Sequence, residues 1–212
     1  MNVSSAKENI LKKIRKALTQ STPLPFPKSE GTSSVFNPSE QELEIEFAEQ
    51  FTLLQGRFVF CLDYNEVAAQ LKSIIASNKW KNVFCRETEI SGRLKASGFD
   101  AFAPVDLAVS DAAITGCEFL VARTGSIVMS SAQQSGRTTS VYSPVHICIA
   151  HSSQLVYDIK NGLDMIKAKY GNSLPSMITF ASGPSRTADI EKTLVVGVHG
   201  PKEVFVFLVD GI

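Results

Sequence analysis

Short apolar runs alternate with stretches of helical spacing along most of this chain, and that alternation sets the expected fold. Residues 57–62 read as a strand rich in aromatic and β-branched side chains, and from Asn65 a helix carries Val67, Leu71, Ile74 and Ile75 on one face. The unit then repeats: residues 82–85 are strand-like, 89–97 helical, and Gly98 stands where a helix end calls for positive φ. Residues 118–122 and 127–130 flank the turn Arg123-Thr124-Gly125-Ser126 and predict a hairpin. A strand at 146–150 precedes a stretch at 153–170 whose apolar positions, Leu155, Val156, Ile159, Leu163 and Ile166, predict one long helix. Residues 177–181 predict a strand running into Gly183-Pro184. Beyond it, Ser185 or Thr187 as a cap and Asp189 with Glu191 in a first turn predict another helix. Residues 203–209 supply a last strand. Strands alternating with helices predict an open, mostly parallel α/β sheet with helices on both faces and an added hairpin.

The ends of the pattern differ from its middle. Residues 5–19 predict an amphipathic helix, with Ile10, Leu11, Ile14 and Leu18 on one face and Lys12, Lys13, Arg15 and Lys16 around the other. Residues 20–39 shift to Pro, Ser, Thr and Gly, the composition of a linker. The chain therefore divides into an N-terminal arm at 1–39 and an α/β domain at 40–212, the latter opening with a short polar helix at 39–54. The polar stretch 131–139 has the composition of an exposed loop over a cleft; its Arg137, and Asp111 ahead of the hairpin, are candidates to line that cleft.

Charge narrows the partners. With 21 basic and 21 acidic residues the net charge is zero, so no overall field favours nucleic acid or an anionic membrane. The N-terminus lacks a continuous apolar segment, and the longest apolar run, 204–209, is too short to span a bilayer, which points to a cytoplasmic protein. Cys61, Cys85, Cys117 and Cys148 are far apart and form no C-x-x-C pair. Their spacing offers neither a zinc knuckle nor an iron–sulfur ligand set, and buried, reduced thiols are expected. The three histidines form no H-x-x-x-H pair, so no metal site is expected. No GxGxxG or GxxxxGK[ST] string is present to bind a dinucleotide or ATP, and no G-x-S-x-G elbow marks a hydrolase.

Candidate chemistry concentrates in residues 183–201. A helix starting near Ser185 would present free backbone N–H groups to an anion, and Arg186 adds a planar guanidinium suited to two-point contact with a carboxylate or phosphate. Gly183, Ser185, Arg186 and Thr187 are the expected small-anion ligands, with Thr124, Gly125 and Arg137 as further candidates for the same cleft. His199, ahead of Gly200-Pro201, is the candidate general base. Each has a plainer reading: a capped helix after a strand, a glycine that turns a hairpin, a histidine that fixes a turn.

The strings GPSRTADIE from Gly183, VVGVHGP from Val195 and ITGCEFLVARTGSIVMS from Ile114 resemble the LUD-domain family, in its lactate-utilisation protein C group. The resemblance implies an α/β domain similar to the isomerase and CoA-transferase-like superfamily. It also implies a role, beside iron–sulfur partner proteins, in a cytosolic system that oxidises L-lactate to pyruvate. Family members often carry an acidic residue just before the Thr-Gly turn; here that residue is Arg123. The chain shows no means of holding a redox cofactor itself, so electrons would pass to iron–sulfur clusters on the partners. The alternative carried by the superfamily resemblance is a free-standing enzyme or binding protein for phosphorylated or CoA-linked small molecules.

Overall fold

The computed structural model describes residues 5–19, 41–190 and 193–210. The chain divides into two units, Met1–Pro38 and Ser39–Ile212. In the first, the described part is a helix, α1 (Ser5–Leu18), with Arg15 and Lys16 in its last turn, where the helix dipole favours positive charge. The linker expected at 20–39 lies outside the described residues.

The second unit is built on a five-stranded, all-parallel sheet. Its strands are β1 (Arg57–Cys61), β2 (Val83–Cys85), β3 (Ala112–Thr115), β6 (Val145–His151) and β11 (Glu203–Val209), in the order β1-β11-β6-β3-β2. Strands buried on both faces read as unbroken apolar runs, and β11, with the sequence EVFVFLV, shows it: everything after Glu203 is buried. The last strand in sequence thus lies between the first strand and β6.

One face is covered by α3 (Tyr64–Asn78) and α4 (Thr88–Ala96), whose Val67, Ala68, Leu71, Ile90 and Leu94 pack on Ile114, Ile147, Ile149, Phe205 and Phe207. Helix α3 begins where the sequence offers a cap: the Asp63 carboxylate accepts from the backbone N–H groups of Asn65 at 2.8 Å and Glu66 at 2.9 Å. The opposite face holds α2 (Leu43–Leu53), through Phe47 and Phe51, together with a second sheet.

That second sheet contains β4 (Phe119–Val121), β5 (Ser126–Ser130), β7 (Leu155–Val156) and β8 (Ile178–Ala181), in the order β7-β4-β5-β8. The expected hairpin is present as β4 and β5, with Leu120 opposite Ile127, but it nucleates this separate sheet instead of extending the parallel one. Its inner face carries Leu120, Ile127 and Met129 towards Val204, Val206 and Leu208. On the outer face Phe119, Val121 and Val128 receive α6 (Ile159–Tyr170) through Ile166. Close approach of α6 depends on Gly162, where a Cβ would stand 1.9 Å from the Phe119 ring.

Two local expectations are corrected. The single helix expected over 153–170 is interrupted: a short 3-10 turn spans Ser152–Gln154, Leu155 and Val156 pair as β7 with Leu120 and Val121, and α6 starts only at Ile159. Asp158 decides that start, since its carboxylate accepts from the Lys160 N–H at 2.9 Å and also holds Arg123 in an ion pair at 2.7 Å. The helix expected after Pro184 is a hairpin of β9 (Arg186–Ile190) and β10 (Thr193–Val196). The Ser185 N–H is spent on the Pro201 carbonyl and the Ser185 carbonyl on the Gly197 N–H, both at 2.9 Å, and the β-branched residues that follow favour a strand. The loop expected at 131–139 is a series of turns leading into α5 (Thr139–Tyr142), exposed or half-buried apart from Ser135 and Thr139.

Candidate functional site

Replacing a helix by a hairpin after Pro184 brings the two halves of the signature together in a different way from the one expected. The turn 182–185 and the turn 199–201 face each other across a cavity of about 340 Å³, whose walls include Ser182, Gly183, Ser185, His199 and His146. Contact between the turns is intimate: a Cβ on Gly200 would lie 2.8 Å from the Ser185 Cβ. Gly183 has φ +83°, and a Cβ there would stand 2.5 Å from the Leu54 carbonyl oxygen, so glycine is required for this turn to rest on the end of α2.

None of the other expected ligands is in the wall of this cavity. The Arg186 guanidinium is exposed and donates to the Leu54 carbonyl at 2.7 Å, tying the start of β9 to the end of α2. Thr187 pairs through its backbone with Val195. Thr124 and Gly125 are not in the cavity wall, but a chain of hydroxyls connects them to it: Thr124 Oγ1 to Ser126 Oγ at 2.8 Å, and Ser126 Oγ to Ser182 Oγ at 2.7 Å. Gly125, at φ +57°, packs on the Phe51 backbone, where a Cβ would meet the amide nitrogen at 2.6 Å. Arg137 donates to Ser176 Oγ, and Asp111 accepts from the N–H groups of Lys81 and Asn82, both at 2.8 Å. His199 is exposed.

His146 is the residue that spacing arguments undervalued. It occupies the second position of β6, is 1% exposed, and holds Thr115 Oγ1 at 2.8 Å through Nε2. Its Nδ1 is buried and makes no hydrogen bond to any described residue. Burial holds the imidazole down at a pKa of about 4, so it is neutral at physiological pH. The signal was a lone polar residue at the head of an otherwise apolar strand.

A second crevice, of about 400 Å³, lies at the carboxyl ends of the parallel strands, the position where open α/β sheets commonly bind ligands. Its polar groups are engaged with one another. Tyr64 Oη lies 3.2 Å from His151 Nε2, Glu87 accepts from the Gly116 N–H at 3.1 Å, and Arg93 pairs with Glu89 at 2.9 Å. Burial, and then the charge of Arg93, lower the pKa of His151. Among the described residues, no cluster of His, Cys, Asp and Glu is arranged to hold a metal ion, and no helix is long and apolar enough to cross a membrane.

Fold and cavity together define a layered α/β protein with a small cavity of mixed polar and apolar lining, walled in part by β6 of the five-stranded sheet and by β5 and β8 of the four-stranded one. A model of the LUD domain matches residues 100–209, just over half of the chain, and the chain belongs to that family. It is similar to lactate utilization protein C of Deinococcus radiodurans, at 36% identity over 101 residues, covering 47% of each chain. The protein of the same name from Bacillus subtilis is 37% identical over 99 residues, 46% of this chain and 41% of that one. This chain therefore spans less than half the length of these curated relatives. Among solved structures, that of a DUF162 family protein from Deinococcus radiodurans superposes with a TM-score of 0.61 over 82% of this chain and 99% of that one, at 20% identity, a likeness of fold.

Proposed function

We propose that this protein serves lactate utilisation as a subunit of a cytosolic system oxidising L-lactate to pyruvate, with the cavity between turns 182–185 and 199–201 binding the small carboxylate. The observation that carries the reading is the meeting of two of the three signature strings, those starting at Gly183 and Val195, in the wall of one cavity, in a chain related to proteins named for lactate utilisation. Oxidation of lactate removes two electrons and two protons, and the electrons need an acceptor. Iron–sulfur partner proteins fill that role in this reading. The chain's own part is to bind and orient: Ser185 and Ser182 supply hydroxyls, and His199, on the exposed side, supplies an imidazole for the carboxylate or for a leaving proton.

The helix N-terminus expected at residue 185 supported a carboxylate and a phosphate alike, and the strand found there removes that contribution from this reading and from the alternative of a phosphorylated or CoA-linked ligand. Affinity purification of the full chain from lactate-grown cells tests the proposal directly. Co-purifying iron and lactate-dependent dye reduction are the expected result. An iron-free eluate without dye reduction would overturn the assignment to a lactate-oxidising assembly.

A further inference from the structure

The tautomer of His146 follows from its neighbour. Thr115 Oγ1 has one proton, and it lies 2.9 Å from the Gly116 carbonyl, which can only accept. A hydroxyl proton given to that carbonyl leaves the same oxygen to accept at the 2.8 Å contact, and the tautomer that fits this arrangement carries its proton on Nε2. The consequence falls on the far side of the ring. Nδ1 keeps a bare lone pair, buried in a side chain that lines the cavity and hydrogen-bonded to no described residue. A buried acceptor left unmatched is costly, and a ligand that brings a donor repays that cost while one without a donor does not.

We propose that His146 reads the hydroxyl of the ligand, so that this cavity selects 2-hydroxy acids over the matching 2-oxo acids. The proposal rests on the cavity being the small-carboxylate site. The α-hydroxyl of a hydroxy acid donates to Nδ1, Thr115 holds the ring in the accepting tautomer, and the carboxylate lies towards Ser185 and His199. A 2-oxo acid presents a carbonyl at the same place, two acceptors facing each other with no proton between them. A substrate would then bind more tightly than its own oxidation product, which favours product release. His146 acts here as a specificity residue, with Thr115 as its positioning partner.

The test is titration of the full chain with L-lactate, glycolate, pyruvate and propionate, read by calorimetry and by the imidazole nitrogen signals of His146 in ¹⁵N spectra. The expected result is an unprotonated Nδ1 in the free protein, a change in its signal on adding L-lactate, and about tenfold weaker binding of pyruvate and propionate. Thr115→Val, a near-isosteric change less prone to unfolding than a change at His146, should reduce that discrimination while circular dichroism remains native. Equal affinity for lactate and pyruvate overturns the proposal, as does a protonated Nδ1. An unprotonated Nδ1 that no ligand perturbs assigns the atom to a bound water and overturns it too. If none of the four ligands binds, the cavity is not a hydroxy-acid site. Membership of a lactate-oxidising assembly is then still decided separately by the purification experiment.

Discussion

At the scale of single residues, the positions with least freedom are glycines that bring chain segments into contact. Gly125 combines φ +57° with a would-be Cβ 2.6 Å from the Phe51 amide nitrogen, so Gly125→Ala must both strain the backbone and push α2 away. A loss of about 2–3 kcal/mol is expected, measured as a lower urea midpoint with unchanged slope. The thiols are a second case. Burial pushes Cys61 and Cys85 up to about 11, so at neutral pH they are almost wholly protonated and poor nucleophiles. All four cysteines are free, and iodoacetamide should label them slowly in the native protein and rapidly in denaturant. Fast native labelling of Cys85 would contradict the burial on which this rests. Arg123 is held in the ion pair with Asp158, a partnership between side chains 35 residues apart.

Elements were legible where a local signal was unopposed. The start of α3 near Asn65, the positive φ of Gly98, the β4–β5 hairpin and the all-apolar β11 follow from a few residues each. The two misread helices show what overrides such signals. Leu155, Ile159, Leu163 and Ile166 fit helical spacing, yet Leu155 and Val156 gain more as a short strand beside Leu120 and Val121, a pairing whose partner lies elsewhere in the sequence. Residues 185–190 carry a plausible cap and acidic first turn, and lose to backbone hydrogen bonds with residues 197 and 201. For the same reason the candidate site was legible as a pair of strings but not as a geometry: Ser185 and His199 were chosen, whereas His146 enters the wall only through the packing of the two sheets. Asp158 offers a test at this scale. Asp158→Ala removes both the α6 cap and the Arg123 ion pair and should cost about 1–2 kcal/mol. Asp158→Asn keeps the cap and should cost less; equal losses would assign the effect to the ion pair.

For the molecule as a whole, acid is the revealing perturbant. The folded pKa of His146 is lowered from 6.5 to about 4, so between those values the unfolded chain binds the proton and the native chain does not. Its contribution is present in full above pH 6.5 and is lost as pH falls towards 4, on the order of 3 kcal/mol in total. Glu118 reinforces the trend. Burial alone would raise its pKa, but hydrogen bonds from Lys169, Ser130 and Tyr170 hold it below the usual carboxylate value, so its contribution disappears at still lower pH. Urea denaturation from pH 8 to 4 should show stability declining with acidity, beginning near pH 6.5. A flat profile across that interval would show that His146 is hydrated in the native state.

The position of β11 also bears on how the protein is made. On the ribosome, β1 emerges long before the strand that must lie beside it, and β6 likewise presents an open edge until residues 203–209 have cleared the exit tunnel. Nascent chains of this protein therefore carry the unpaired apolar edge of β1 through most of their synthesis, joined by that of β6 once residues 145–151 have emerged, until β11 enters between them.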